Sequence, residues 1–136
     1  MGNSVNLAAR LEGVNKMYGT DLIISEMTYN QCATNVVVRE LDLIRVVGIF
    51  QPVRIYELLS RPGELSADEQ KAFSIFAEGL ALYRSQQWQA AISKFEMVVT
   101  LLTNDGPSKI MISRCRDYLD APLLENWDGV YIAKTK

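Results

Sequence analysis

Histidine is absent from all 136 residues. That removes Ser–His–Asp and Cys–His nucleophilic catalysis, histidine-ligated zinc and the commonest general base. Chemistry on this chain would have to come from electrostatics, carboxylates or a metal-bound substrate. Cysteine is scarce too: Cys32 and Cys115 stand far apart, in different expected elements. Two buried thiols in a reducing cytosol fit that usage better than a bridge. No apolar run approaches the roughly 18–20 residues that span a bilayer. Met1-Gly2-Asn3-Ser4 has neither the basic nor the apolar region of a signal peptide, and Asn6 departs from the Ser or Thr of a myristoylation signal. Excess charge is missing as well. A net charge of -2 with the two signs interspersed gives no electrostatic reason to bind nucleic acid or an anionic membrane. With 49% apolar and 22% charged residues the chain reads as folded protein, long enough for one domain or two small ones.

What is present divides into two halves. In the first, Val5, Leu7, Ala8, Leu11 and Val14 recur at helical spacing and predict a helix ending before Tyr18-Gly19. Leu22-Ile23-Ile24 is a short apolar run expected to form a buried strand. Ser25 can cap a short helix through about Cys32, because its oxygen satisfies a free amide at the helix start. Val36–Val47 and Pro52–Leu59 are rich in β-branched residues and predict a hairpin turning at Gly48–Gln51.

Leu59-Ser60-Arg61-Pro62-Gly63-Glu64 interrupts that periodicity and marks a linker. Ser66 and Glu69 then stand at capping-box spacing. The following residues read as helical. Phe73, Phe76, Ala77, Leu80 and either Tyr83 or Ala81 form one apolar face; Ala91, Phe95, Val98 and Leu102 form a second. Asn104-Asp105-Gly106-Pro107 breaks the pattern, and Pro107 suits the first turn of a third helix that buries Met111, Cys115 and Tyr118. Trp127-Asp128-Gly129-Val130-Tyr131-Ile132 reads as a turn and a short extended segment, with Trp127 packing back on the helices. Asp105, Asp117, Asp120, Glu125 and Asp128 show no metal-ligand spacing.

The chemistry-bearing string is Gly2-Asn3-Ser4-Val5-Asn6-Leu7-Ala8-Ala9-Arg10-Leu11-Glu12. On a helix Asn6 and Arg10 stand one turn apart, and an amide beside a guanidinium makes an anion-binding surface that needs no proton transfer. From spacing alone such a pair is an ordinary feature of a solvated helix face. The whole string, however, resembles the helix motif of class III nucleotidyl cyclases. Further similar strings follow in order: Tyr18-Gly19-Thr20, Ile23-Ile24-Ser25-Glu26, Arg39-Glu40-Leu41-Asp42 and Gln51-Pro52-Val53-Arg54-Ile55-Tyr56-Glu57-Leu58.

The resemblance covers residues 2–59, about the last third of such a domain. It implies that Asn6 orients the ribose and Arg10 stabilises the transition-state phosphate, both acting across a dimer interface. There they face two metal-binding aspartates of the partner chain, with two Mg²⁺ or Mn²⁺ ions serving the phosphoryl chemistry. The strands bearing those aspartates, and the purine-selecting lysine and aspartate, are expected upstream of this chain, which alone is expected to be inactive and to bind no metal. The family's strand-end Val-Lys-Gly reads Val46-Val47-Gly48 here. The triphosphate-gripping lysine is thus replaced by Val47, and Arg45, on the same face of a regular strand, is the remaining cation.

Gly79, Leu82, Trp88, Ala91, Ile92 and Phe95 stand near tetratricopeptide positions, and residues 70–102 resemble one such helical hairpin. Tails of this kind, ending Trp-Asp-Gly-Val, look like those behind the cyclase domain of multidomain bacterial adenylate cyclases. The expected fold is therefore α+β: a partial ferredoxin-like cyclase fold over residues 1–60, a linker at 61–66, and an all-α tetratricopeptide-like tail with a capping helix over 67–136. The expected function is the C-terminal part of an adenylate cyclase making cyclic AMP from ATP, self-associating and cytoplasmic, in a parent protein that upstream regions can anchor to a membrane. The alternative is a non-catalytic interaction module whose tail docks a protein partner through Trp88 and Trp127, or simply covers the cyclase sheet.

Overall fold

The structure is a computed structural model that describes residues 15, 17–20, 23–32, 37–45, 51–60, 63–124 and 127–132. Over these the protein is α+β, with a four-stranded sheet and four helices. It divides into two compact units, one of residues 1–63 with 130–136 and the other of residues 64–129.

In the first unit Asn15, Met17 and Tyr18 are helical, so the turn runs one residue past the expected end. Gly19 stops it: its φ of 68° suits a residue without Cβ, and the Thr20 N–H reaches back to the Asn15 carbonyl at 3.0 Å. The first strand, β1 (Ile23–Ser25), leads directly into α1 (Glu26–Cys32), where the Ser25 hydroxyl accepts from the Thr28 N–H at 3.3 Å as a helix cap. β2 (Val37–Arg45) and β3 (Val53–Ser60) form the expected antiparallel pair. The expected turn lies outside the described residues except for Gln51, as does the expected helix over Val5–Val14.

The sheet order is β1-β3-β2-β4, and its last strand is β4 (Tyr131–Ile132). The sequence marks that segment as a turn and a short extended stretch, and assigns it to the tail rather than to the sheet. In the structure it joins the sheet, parallel to β2, with Ile44 opposite Tyr131 and Arg45 opposite Ile132. Ile23, Leu41, Ile44 and Ile55 are buried in this unit with Tyr18 and Val130. Each such side chain contributes about 1.5–3 kcal/mol through removal from water. A register shift between Glu40 and Asp42 sets Leu41 as an extra residue on β2, so both Leu41 and its neighbour Asp42 are buried.

The second unit holds α2 (Ala67–Arg84), α3 (Trp88–Leu101) and α4 (Gly106–Asp120). Ser66 and Glu69 form the expected capping box, at 3.1 and 3.0 Å. The Asp105 carboxylate caps α4 through the Ser108 N–H and hydroxyl, at 3.2 and 2.6 Å. The buried stripe of α2 is Ala72, Ile75, Phe76, Gly79, Leu80 and Tyr83. Ala77 and Ala81 are exposed and Phe73 is half-buried, so the apolar face is rotated from the expected one. On α3, Trp88, Ala91, Ile92, Phe95 and Val98 are buried, while Leu102 caps the helix. On α4, Met111 and Cys115 are buried as expected, and Tyr118 is half-buried.

Candidate functional site

Asn6 and Arg10, the expected catalytic pair, lie outside the described residues, as does Val47. Arg45 is described. It is the last residue of β2, half-buried, and stands opposite Ile132 of β4. The residues that follow it, 46–50, are not described.

What the first unit gathers around β2 is a set of polar side chains that the strand pattern alone does not mark. Arg39 and Glu57 stand opposite each other in the β2–β3 register. The Arg39 guanidinium holds the Glu57 Oε1 through Nε at 2.8 Å and Nη2 at 2.7 Å, with the arginine side chain only 5% exposed. Such a pair is expensive to break, because either partner would be left as a buried charge. A second group lies across Glu40, Arg54 and Tyr56. Arg54 donates to Glu40 through Nη1 and also stands 3.8 Å from Glu26. Burial works to lower the Arg54 pKa, but the hydrogen bond and charge of Glu40, with Tyr56 and Glu26, outweigh it and hold the guanidinium charged. The Tyr56 phenol is raised above its ordinary value, first by burial and then by Glu26 and Glu40. Its ring lies 4.7 Å from that of Tyr29 on α1.

Among the described residues the most deeply placed polar contact is between Tyr18 and Asp42. The phenol donates to the Asp42 Oδ2 at 2.6 Å, and both residues are 0% exposed. The Leu43 N–H donates to the other carboxylate oxygen at 2.8 Å. Sequence reasoning used Tyr18 and Asp42 only as members of similar strings. An aspartate inside a β-rich run was the available signal, since strands rarely contain it without a partner.

Chemically, the described guanidiniums of Arg39 and Arg54 are engaged by carboxylates of the same sheet. They organise β2 and β3 rather than presenting an anion site. Among the described residues no group of three or more Cys, Asp or Glu side chains is placed to hold a metal ion. None of the described helices is long and apolar enough to cross a membrane.

The two tryptophans expected to meet a partner sit elsewhere, in the helical unit. Trp88 is buried, and its ring centroid lies 4.9 Å from Tyr118, 5.6 Å from Tyr83 and 5.9 Å from Trp127. Trp127 meets Tyr83 edge-on at 5.3 Å. Arg114 completes the cluster, donating to the Tyr83 hydroxyl at 3.2 Å and lying 5.9 Å from its ring centroid. These rings are core, and Trp127, the more exposed of the two tryptophans, is half-buried.

Comparison with known proteins supports a relationship with adenylate cyclases. The chain is 30% identical over 119 residues to the terminal-differentiation-specific adenylate cyclase of Dictyostelium discoideum, a stretch covering 85% of this chain and 6% of that protein. It is 41% identical over 59 residues to adenylate cyclase 1 of Rhizobium meliloti (strain 1021), covering 43% of this chain and 9% of that protein. The chain thus spans under a tenth of the length of either relative. No family model matches the chain, and no solved structure matches it.

Proposed function

We propose that residues 1–60 are the C-terminal part of a class III adenylate cyclase catalytic domain, and that residues 67–136 are a tetratricopeptide-like tail. The complete enzyme converts ATP to cyclic AMP and pyrophosphate at a dimer interface in the cytoplasm. This chain contributes Asn6 to orient the ribose and Arg10 to neutralise charge on the transferring phosphorus, with Arg45 a subsidiary cation for the triphosphate. Mg²⁺ or Mn²⁺ would be held by aspartates of the facing chain and would supply charge neutralisation when bound.

The similarity over 119 residues to a single adenylate cyclase carries this reading, because it extends beyond the cyclase-like strings into the tail. The close approach of Gly79 to Phe95 supports the tetratricopeptide-like hairpin, a motif that needs a small residue where two helices meet. A second reading, a docking module, is favoured by the compactness of residues 64–129 as a separate unit.

The test is the purified chain beside a form extended upstream by the catalytic strands of adenylate cyclase 1. With ATP and Mn²⁺ the chain alone is expected to yield no cyclic AMP, and the extended form to yield it. Arg10→Ala in the extended form should lower kcat on the order of 100-fold, as loss of one transition-state charge contact does. Turnover by the 136 residues alone, or an unchanged rate in Arg10→Ala, would refute the assignment.

A further inference from the structure

We propose that β4 is a latch on the end of β2, held in the sheet by the helical unit through Trp127. The segment concerned runs from Trp127 to Ile132, and its two ends belong to different units. At one end Trp127 is held among Tyr83, Trp88 and Tyr118, with ring centroids 5.3, 5.9 and 6.1 Å away. Its N–H also donates to the Leu124 carbonyl at 3.1 Å. At the other end Val130 is buried in the sheet unit, and Tyr131 and Ile132 pair with Ile44 and Arg45. Only Asp128 and Gly129 separate Trp127 from Val130. Gly129 turns the chain there with a φ of 81°, a conformation that suits a residue without Cβ.

The strand itself brings little to its place in the sheet. Its pairing is two residues long and parallel, the pattern that is slightly weaker per residue, and Ile132 is exposed. What changes the balance is delivery. With Trp127 anchored, β4 reaches β2 on a link of about three residues, so its effective concentration at that edge is high. With the helices unfolded, the chain from the end of β3 to β4 becomes one loop of roughly 70 residues, about a hundredfold less probable to close than a loop of three. Folded helices therefore raise the occupancy of β4 on β2. The residue at stake is Arg45, the last of β2, which stands opposite Ile132. Release of β4 frees that end alone, because β2 remains paired with β3 over Val37–Ile44. Where the proposed cyclase role of Arg45 holds, the latch makes the helical unit a control on it. The latch itself is read by exchange and not by turnover.

The experiment is amide hydrogen exchange by nuclear magnetic resonance on the full chain. It compares the amides bonded across the β2–β4 edge, among residues 43–45 and 131–132, with those of Arg39, Glu40 and Tyr56 in the same sheet. The deciding variant carries a flexible insert of about twelve Gly and Ser residues between Asp128 and Gly129. The insert keeps the Trp127 anchor and β4 intact but lengthens the link about fivefold. Effective concentration falls as about the −3/2 power of length, so exchange at the β2–β4 edge is expected to quicken about tenfold. Exchange at Arg39, Glu40 and Tyr56 is expected to stay within about twofold of the native chain. Trp127→Ala, which removes the anchor, should quicken the edge amides at least as much. If the insert leaves the edge amides within about twofold, β4 holds itself in place and the latch is refuted. Equal acceleration at Arg39, Glu40 and Tyr56 would show a general loosening of the sheet and would refute it too. Where Trp127→Ala unfolds the helices, the insert alone decides. Failure of the cyclase assay leaves these exchange outcomes untouched, so the two readings fail separately.

Discussion

Cys115 shows two opposing effects on one atom. Arg114 beside it pulls the thiol pKa down, while burial pushes it up; burial wins, and the value rises from 9.0 to about 12. The folded protein thus resists forming a thiolate that the unfolded chain forms readily. A raised folded pKa contributes stability that is fully present below pH 9.0 and is lost as pH climbs toward and through about 12. The urea midpoint of the native chain should therefore fall between pH 8.5 and 10.5 more steeply than that of Cys115→Ala. Parallel curves would show that the thiol carries no pH linkage. The burial of Cys115 was legible from its helical spacing with Met111 and Tyr118. Its neighbour Arg114 was not: a charged residue on that face reads as solvated until its bond to the Tyr83 hydroxyl is seen. Tyr18 and Asp42 were illegible as a pair for the same reason, since each residue's partner is distant in sequence and no local pattern announces it.

At the level of elements, the junction of α2 with α3 turns on Gly79. A Cβ there would stand 2.7 Å from Phe95 Cε1 and 2.9 Å from Cζ. Phe95 is fully buried and packs against Phe76 at 5.2 Å between ring centroids, so its ring has no easy retreat. Gly79→Ala gains about 1 kcal/mol of helix propensity. Overpacking costs about 1–3 kcal/mol. The net expectation is a loss near 1 kcal/mol in chemical denaturation, recovered when Phe95→Leu is added to make room. A more stable Gly79→Ala would mean the helices can part freely. Gly79 could be singled out from the sequence because it stands near the tetratricopeptide position for a small helix-packing residue. The rotation of α2 could not, since Ala77 and Ala81 fit a buried or an exposed face equally well. Strands β1, β2 and β3 announced themselves by β-branched runs. β4 was legible as a short extended segment, but not as a strand of this sheet, because it is two residues long and its partner Ile44–Arg45 lies in the first half of the chain.

For the whole molecule, the consequential fact is that the sheet takes strands from both sides of the helical unit. The chain leaves the sheet after β3, builds α2, α3 and α4 within residues 64–129, and returns for β4. An arrangement of this kind leaves the intervening unit free to close its own core. At 66 residues that is near the lower limit for an unassisted domain, which buries only about 60% of its unfolded surface. Large rings compensate: Tyr83, Trp88, Tyr118 and Trp127 are mutual neighbours, and such pairs add about 0.5–1.5 kcal/mol each beyond their burial. Residues 64–129 expressed alone should therefore unfold cooperatively and keep a near-ultraviolet circular dichroism band from their tryptophans. Because the chain has two tryptophans and both lie in this unit, their fluorescence in the intact protein reports on the helices and not on the sheet. The same urea midpoint in the isolated unit and in the full chain would establish that the helical core is self-contained. A broad, uncooperative transition in the isolated piece would instead show that the helices depend on the sheet, and would remove the main support for the docking-module reading.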